Sequence, residues 1–366
     1  GEVDAGLASY SEIRPSAERF FEESRFNIGK AMRLQGRFSD MREHFTSFVE
    51  AYPESSRMAE AVYWIGWAHK AEGNNEAARS VYRDVVLSHG DRHELFGIAD
   101  VLVGLRKLYS PDNLQGYAFE MQRLASDAKS KGKKTLELNA RWASALAEPV
   151  GSASYRLSYA LAARLCDPEI HNPRILADCA DYLFNKGETD SADILFEGLR
   201  KWNPRSMERD RVYIGRARIA IKRGEPGKAL EFLEKLKQQT PYSRKCADAD
   251  LLIAGIFSTS GEPDKALDVL AGLLADKTIA SGSKAEALFR SAEILSEKGD
   301  KLKATAYFER VYVAYGKFSE MVAKSYLRRG ELLEELGRVP EAMRPASLSQ
   351  SIVAALSLRR LSLLER

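Results

Sequence analysis

A glycine returns along this chain at an almost constant interval, and that interval limits the fold more than any other feature. Gly36, Gly73, Gly187, Gly224, Gly261, Gly299 and Gly337 are separated by 37, 114, 37, 37, 38 and 38 residues, and 114 is three times 38. Self-similarity at one such period marks a stacked repeat array. Other positions keep step with the glycines. Seven residues before each stands a small residue: Gly29, Gly66, Ala180, Ala217, Ala254, Ala292 and Gly330. Five after come Met41, Ala78, Ala192, Ala229, Ala266, Ala304 and Ala342; nine after come Phe45, Tyr82, Phe196, Leu233, Leu270 and Phe308. Small residues let two helix backbones approach, and large ones at helical spacing fill the groove between them. The glycine supplies the left-handed conformation that ends the first helix. Pro226 and Pro263 suit the first turn of the next, where a missing N–H costs nothing. Pro53, Pro204 and Pro241, seventeen residues after their glycines, close it. Each unit is therefore two helices. Seven units are visible, and two worn ones lie between Gly73 and Gly187.

One stretch invites a different reading. Gly224–Ala229, "GEPGKA", resembles part of a phosphate-binding loop. Such a loop needs four residues between its glycines and a hydroxyl after the lysine to hold magnesium. Here only Glu225 and Pro226 separate the glycines, and Ala229 takes the hydroxyl position. The same stretch recurs at "TSGEPDKALDVL" and "EKGDKLKATAYF" without the second glycine. It is a helix stop followed by a helix start.

Length and composition agree with an array. At 366 residues the chain exceeds one compact core, and 45% apolar with 29% charged residues describes a folded protein. A net charge of +3 does not favour nucleic acid, and the densest basic stretch, "KSKGKK" at 129–134, reads as a solvated inter-helix turn. No apolar run approaches the ~20 residues of a membrane span. Cys166, Cys179 and Cys246 are odd in number and form no C-x-x-C. Their spacing leaves two readings open, buried free thiols or a Cys166–Cys179 bridge.

The small–turn–Ala–aromatic–Pro pattern resembles the tetratricopeptide repeat, most closely between Ala61 and Gly90. There Ile65–Gly66 matches the Leu-Gly pair, and Ala78, Tyr82 and Val85 match the Ala, Phe and Ala sites. The resemblance implies an all-α fold: a right-handed superhelical solenoid of antiparallel helix pairs, about nine repeats of 37–38 residues. The style of "EAYPESSRMAEAVYWIGWAHKAEGNNEAARSVYRDV" is similar to repeats in bacterial envelope lipoproteins of outer-membrane assembly and in the Tol–Pal coordinator. It implies a bacterial setting, with periplasm or outer membrane placed ahead of cytoplasm. The expected organisation is a remnant of a preceding repeat at 1–14, two repeats at 15–90, degenerate repeats at 91–172 and further repeats at 173–345. A tail follows at 346–366, as a capping helix, a membrane-surface helix or a non-native extension. Pro15 stands 38 residues before Pro53, so the sequence reads as part of a longer array. Pro345 falls inside the last unit's second helix, which it should break or kink.

Sites for chemistry are scarce. His89 and His93 have helical metal spacing, but "SHGDRH" sits at an inter-repeat loop with no further His or Cys. S-x-x-K occurs at Ser126 and Ser281 without the companion motifs of acyl transfer. No catalytic, metal or cofactor site is expected, and the chain is not read as an enzyme. What remains is a surface. In the resembled family the first helix of each pair lines the concave face, with exposed sites about ten, nine, six and three residues before the glycine. Those positions select Phe26, Asn27, Lys30, Arg33, Tyr63, Trp64, Trp67, Lys70, Arg218 and Arg290 as partner-binding residues. Phe26 and Lys30 stand where chaperone-tail binders carry Lys and Asn, which argues against that ligand. The expected function is a protein–protein interaction scaffold holding a partner peptide or helix. A packed component of an envelope assembly and a glycan-binding array are the alternatives.

Overall fold

The computed structural model describes residues 2–17, 19–95, 97–167, 172–202, 208–241 and 243–338. The tail at 346–366 and the Pro345 break lie outside these. Among the described residues there are eighteen α-helices and no strand. The chain divides into two compact units, residues 1–215 and 216–366.

The first unit begins with α1 (Glu2–Ser11), then pairs α2 (Arg19–Leu34) with α3 (Phe38–Ala51) and α4 (Met58–Ala71) with α5 (Asn75–His89). It continues through α6 (Ile98–Arg106), α7 (Leu114–Ser130), α8 (Lys134–Ala147), α9 (Ala153–Leu165), α10 (Pro173–Lys186) and α11 (Thr189–Trp202). The division falls within α12 (Arg209–Lys222). The second unit carries α13 (Pro226–Gln239), α14 (Lys245–Thr259), α15 (Pro263–Ala275), α16 (Ser281–Glu297), α17 (Lys301–Ala314) and α18 (Ser319–Glu335).

All seven periodic glycines have positive φ, between 72° and 90°. At each stop the amide that follows the glycine donates five residues back: Asn74 to His69 at 2.8 Å, Glu188 to Leu183 at 3.0 Å, Glu225 to Ala220 at 2.9 Å. This bond satisfies a carbonyl the helix end would otherwise leave orphaned. Pro226 and Pro263 open α13 and α15, and the Asn74 side chain caps α5 by accepting from the Ala77 amide. The small positions are where the second helix drives in its ring. An added Cβ at Gly29 would stand 2.3 Å from Phe45, and one at Gly66 2.2 Å from Tyr82. Phe45, Tyr82, Phe196 and Phe308 are all fully buried, each contributing about 1.5–3 kcal/mol by transfer from water.

The worn middle keeps helix pairs but changes their punctuation. Between α6 and α7 a 3-10 turn at Pro111–Asn113 replaces the glycine stop, while Gly151, φ 82°, stands between α8 and α9. "KSKGKK" is the α7–α8 turn around Gly132.

Candidate functional site

Arg33, near the end of α2, lies against two tryptophans of α4. Its guanidinium carbon is 5.3 Å from the Trp64 ring centre and 5.7 Å from that of Trp67. The indoles meet edge-on at 6.0 Å, Tyr63 meets Trp64 at 5.2 Å, and Phe38 of α3 closes on Trp67 at 5.5 Å. All three α4 rings are half-buried, so they pack and remain reachable. The Trp64 indole N–H is buried without an acceptor among the described residues, a cost of about 1–3 kcal/mol. Arg33 has no carboxylate partner among them either; its charge rests on ring faces, an attraction of about 0.5–2 kcal/mol. Lys30 and Asn27 are half-buried on the same helix, and exposed Lys70 donates to the Lys107 carbonyl at 3.3 Å.

Phe26 corrects the sequence reading. It is fully buried, 5.3 Å from Phe45 and 5.4 Å from Phe48, and the Arg57 guanidinium carbon covers it 3.5 Å from the ring centre. The rings of α3 draw it into the core, so it offers no surface to a partner.

A second network crosses α6, α8, α10 and α12 on the same first-helix face. Arg174 pairs with Asp100 at 2.7 Å and lies 5.8 Å from the Trp142 ring centre. Fully buried Trp142 donates its indole N–H to Asp178 at 2.8 Å. Asp178 and Asp181 pair with Arg211 at 2.7 and 2.6 Å, and Glu208 joins at 3.0 Å. Burial raises the Asp100 carboxyl despite Arg174, and burial with Asp100 raises the Tyr63 phenol against Arg174 and Arg33. Burial would lower the Arg211 pKa, but its three carboxylates raise it, fixing the cation. Sequence reasoning missed Trp142, Arg174 and Arg211. Trp142 stands nine residues before Gly151, the register of Trp64 before Gly73. Arg174 and Arg211 both stand thirteen before their glycines.

In the second unit Arg218 is half-buried on α12. Arg290 is held at 2.7 Å by Glu286 and donates to the Leu251 carbonyl at 3.0 Å. It borders a 320 Å³ cleft between α14, α16 and α18, with Glu286, Glu293 and Glu297 on its wall. Burial and the neighbouring Glu297 and Glu286 raise the Glu293 carboxyl, against Arg328 and Arg290. In the first unit α2 and α4 thus carry an aromatic, cationic cluster; in the second, α16 lines its cleft with three carboxylates. No group of three or more metal-ligating side chains forms among the described residues, and none of their helices is long and apolar enough to cross a membrane.

Residues 23–55 and 60–91, which hold α2 with α3 and α4 with α5, match the family model for the tetratricopeptide repeat. These two stretches carry tetratricopeptide repeats. The Arg33–Trp64–Trp67 cluster thus joins two matched tetratricopeptide units. No curated protein matches the chain. Among solved structures, a tetratricopeptide repeat protein from Parabacteroides merdae is 12% identical, with a TM-score of 0.41, over 84% of this chain and 98% of that one. Yeast Tom70 is 11% identical, with a TM-score of 0.44, over 100% and 93%. Pseudomonas aeruginosa pilF is 14% identical, with a TM-score of 0.41, over 76% and 97%. Likenesses at this level say nothing about a ligand. Tetratricopeptide folds are generally non-catalytic scaffolds for protein contact.

Proposed function

We propose that the chain is a non-enzymatic scaffold whose tetratricopeptide first-helix face holds an extended or helical protein segment bearing carboxylates. The observation that carries this reading is Arg33, laid over Trp64 and Trp67 without an acidic partner among the described residues. Lys30 and Lys70 extend the positive charge along α2 and α4. Half-buried aromatic and arginine side chains are the groups interface hot spots favour. A carboxylate reaching Arg33 would find the guanidinium already oriented over the two indoles. Selection by charge also predicts that binding weakens with salt.

The envelope setting implied by the repeat style makes bacterial envelope proteins the first fraction to probe. Capture from that fraction is compared between the chain and its Lys30→Glu/Arg33→Glu variant, with melting followed by circular dichroism. The variant should lose its captured protein by tenfold or more, corresponding to about 1.4 kcal/mol, while still melting in one transition lowered by no more than the ~1–8 °C that loss of the Arg33 ring contacts costs. Capture of the same proteins by both baits would reject this face as the site. Tryptophan quenching by peptidoglycan fragments, with no protein captured, would favour a glycan ligand instead.

A further inference from the structure

The outer stripe of α7 has the same spacing in both directions. Gly116, Phe119, Glu120, Arg123, Leu124 and Asp127 stand at intervals of three, one, three, one and three residues, so they share one helix face. All six line a 690 Å³ cleft between α5 and α7, over a floor of buried Val86, Leu105 and Met121. Its walls are apolar and open to solvent. Phe119 is 68% exposed, Leu87 of α5 is 58% exposed, and Leu124 is half-buried. Large apolar side chains gathered at one cleft mark an interaction surface. The charges along the cleft are two cations, Arg83 and Arg123, and two carboxylates, Glu120 and Asp127. A balanced set favours no strongly charged partner.

We propose that two copies of this chain associate through the α5–α7 face, α7 lying antiparallel on α7. Centred between Met121 and Gln122, that arrangement sets Phe119 against Leu124 of the second copy, Glu120 against Arg123 and Gly116 against Asp127. A two-fold axis makes each match occur twice. A parallel arrangement would instead set Arg123 on Arg123 and Glu120 on Glu120, so charge fixes the direction. Arg123 is exposed and pairs with no carboxylate among the described residues. Glu120 is held in place by two bonds of 2.7 Å from Arg83, and a carboxylate keeps lone pairs for a further donor. Asp127 pairs with Lys131 on its own helix at 2.8 Å, an exposed contact that costs little to share. Opposite it, Gly116 lies in the first turn of α7, which carries no acidic residue and no side-chain cap. A carboxylate is favoured at such a helix end, and glycine leaves it room. None of these residues belongs to the Arg33–Trp64–Trp67 cluster, so this inference does not depend on the partner reading.

Sedimentation velocity on the whole chain, across micromolar concentrations and at low and high salt, tests this. The unsubstituted chain should pass from monomer to dimer as concentration rises, and high salt should weaken the dimer. Arg123→Glu sets two carboxylates against each other at both ends of the match and should raise the dissociation constant tenfold or more. Phe119→Ser should do the same by emptying the opposed cleft. Val313→Ser removes a side chain that is 73% exposed in the second unit and should leave association unchanged. Circular dichroism at a concentration where every form is monomeric should show each variant folded, since both α7 positions are exposed. A monomer at every concentration would leave the face to another protein and overturn the proposal. A dimer that either Arg123→Glu or Phe119→Ser leaves intact would lie on another face and overturn it equally.

Discussion

A methyl group added at Gly66 would stand 2.2 Å from Cε1 of Tyr82, a ring whose hydroxyl is tied to the Tyr63 carbonyl at 3.0 Å. At Gly272, on the exposed side of α15, the same methyl meets nothing within 4 Å. Replacing a helical glycine by alanine gains about 1 kcal/mol of propensity in both places, but overpacking at Gly66 costs about 1–3 kcal/mol. A tyrosine fixed at both ends pushes that cost to the upper part of its range. Gly272→Ala should therefore raise the melting temperature by about 1–3 °C, and Gly66→Ala should lower it by about 3–6 °C. A scan showing both variants moving the same way would refute the packing argument. Single positions also show where the sequence was readable. Residues that face the helix partner, such as Ala78 and Phe45, obey the period because every unit repeats that contact. Residues on the first-helix face have no repeated contact to keep them in step. Phe26 was placed there by register alone, whereas Phe45, Phe48 and Arg57 enclose it. Trp142 was missed because Gly151 stands 78 residues after Gly73, two beyond two periods of 38, so its stop lay outside the ladder.

Between α5 and α7 the link is polar. Arg83 makes two bonds of 2.7 Å to Glu120 and a third, at 2.9 Å, to the Tyr109 hydroxyl, which itself donates to Glu120. Burial raises the Glu120 carboxyl, but the hydrogen bonds from Arg83 and Tyr109 outweigh it and hold the group below its usual 4.5. A folded value below the unfolded one means that stability is present in full above about pH 4.5 and is lost as pH falls through the folded value. Arg83 is partly exposed, so solvent screening limits the clamp to about 1 kcal/mol. Glu120→Gln should melt about 2–4 °C below the unsubstituted chain at pH 7, and the gap should close as pH falls below 4.5 through the folded value. A gap that persists at low pH would show that shape, not charge, is lost. Arg83 and Glu120 stand 37 residues apart, one repeat, yet nothing in the sequence pairs them. Residues 91–172 read only as degenerate repeats, because Ser110 and Pro111 build the α6–α7 turn by restricting the backbone without a glycine that keeps the period.

Among the described residues of each unit the stronger helix contacts run to the next helix or the next but one, as in α3 to α4, α4 to α6 and α16 to α18. A period is legible in sequence for the same reason: each unit buries its apolar face against a neighbour, so the same residues are demanded again one repeat later. The face turned to a partner answers to that partner, which the chain does not encode. Nearest-neighbour packing also predicts how far damage spreads. Local opening follows local contact density, so a strained pair should loosen itself and its immediate neighbours. Hydrogen exchange followed by mass spectrometry on Gly66→Ala should show faster deuterium uptake in α3 through α6, where Tyr82 and Gly104 adjoin the altered site. Peptides from α14 through α18 should exchange as in the unsubstituted chain, since their buried cluster of Leu251, Leu270 and Leu273 draws on the second unit alone. Equal acceleration in both units would mean that the array opens as one cooperative body, and additive nearest-neighbour stability would then be the wrong description of this chain.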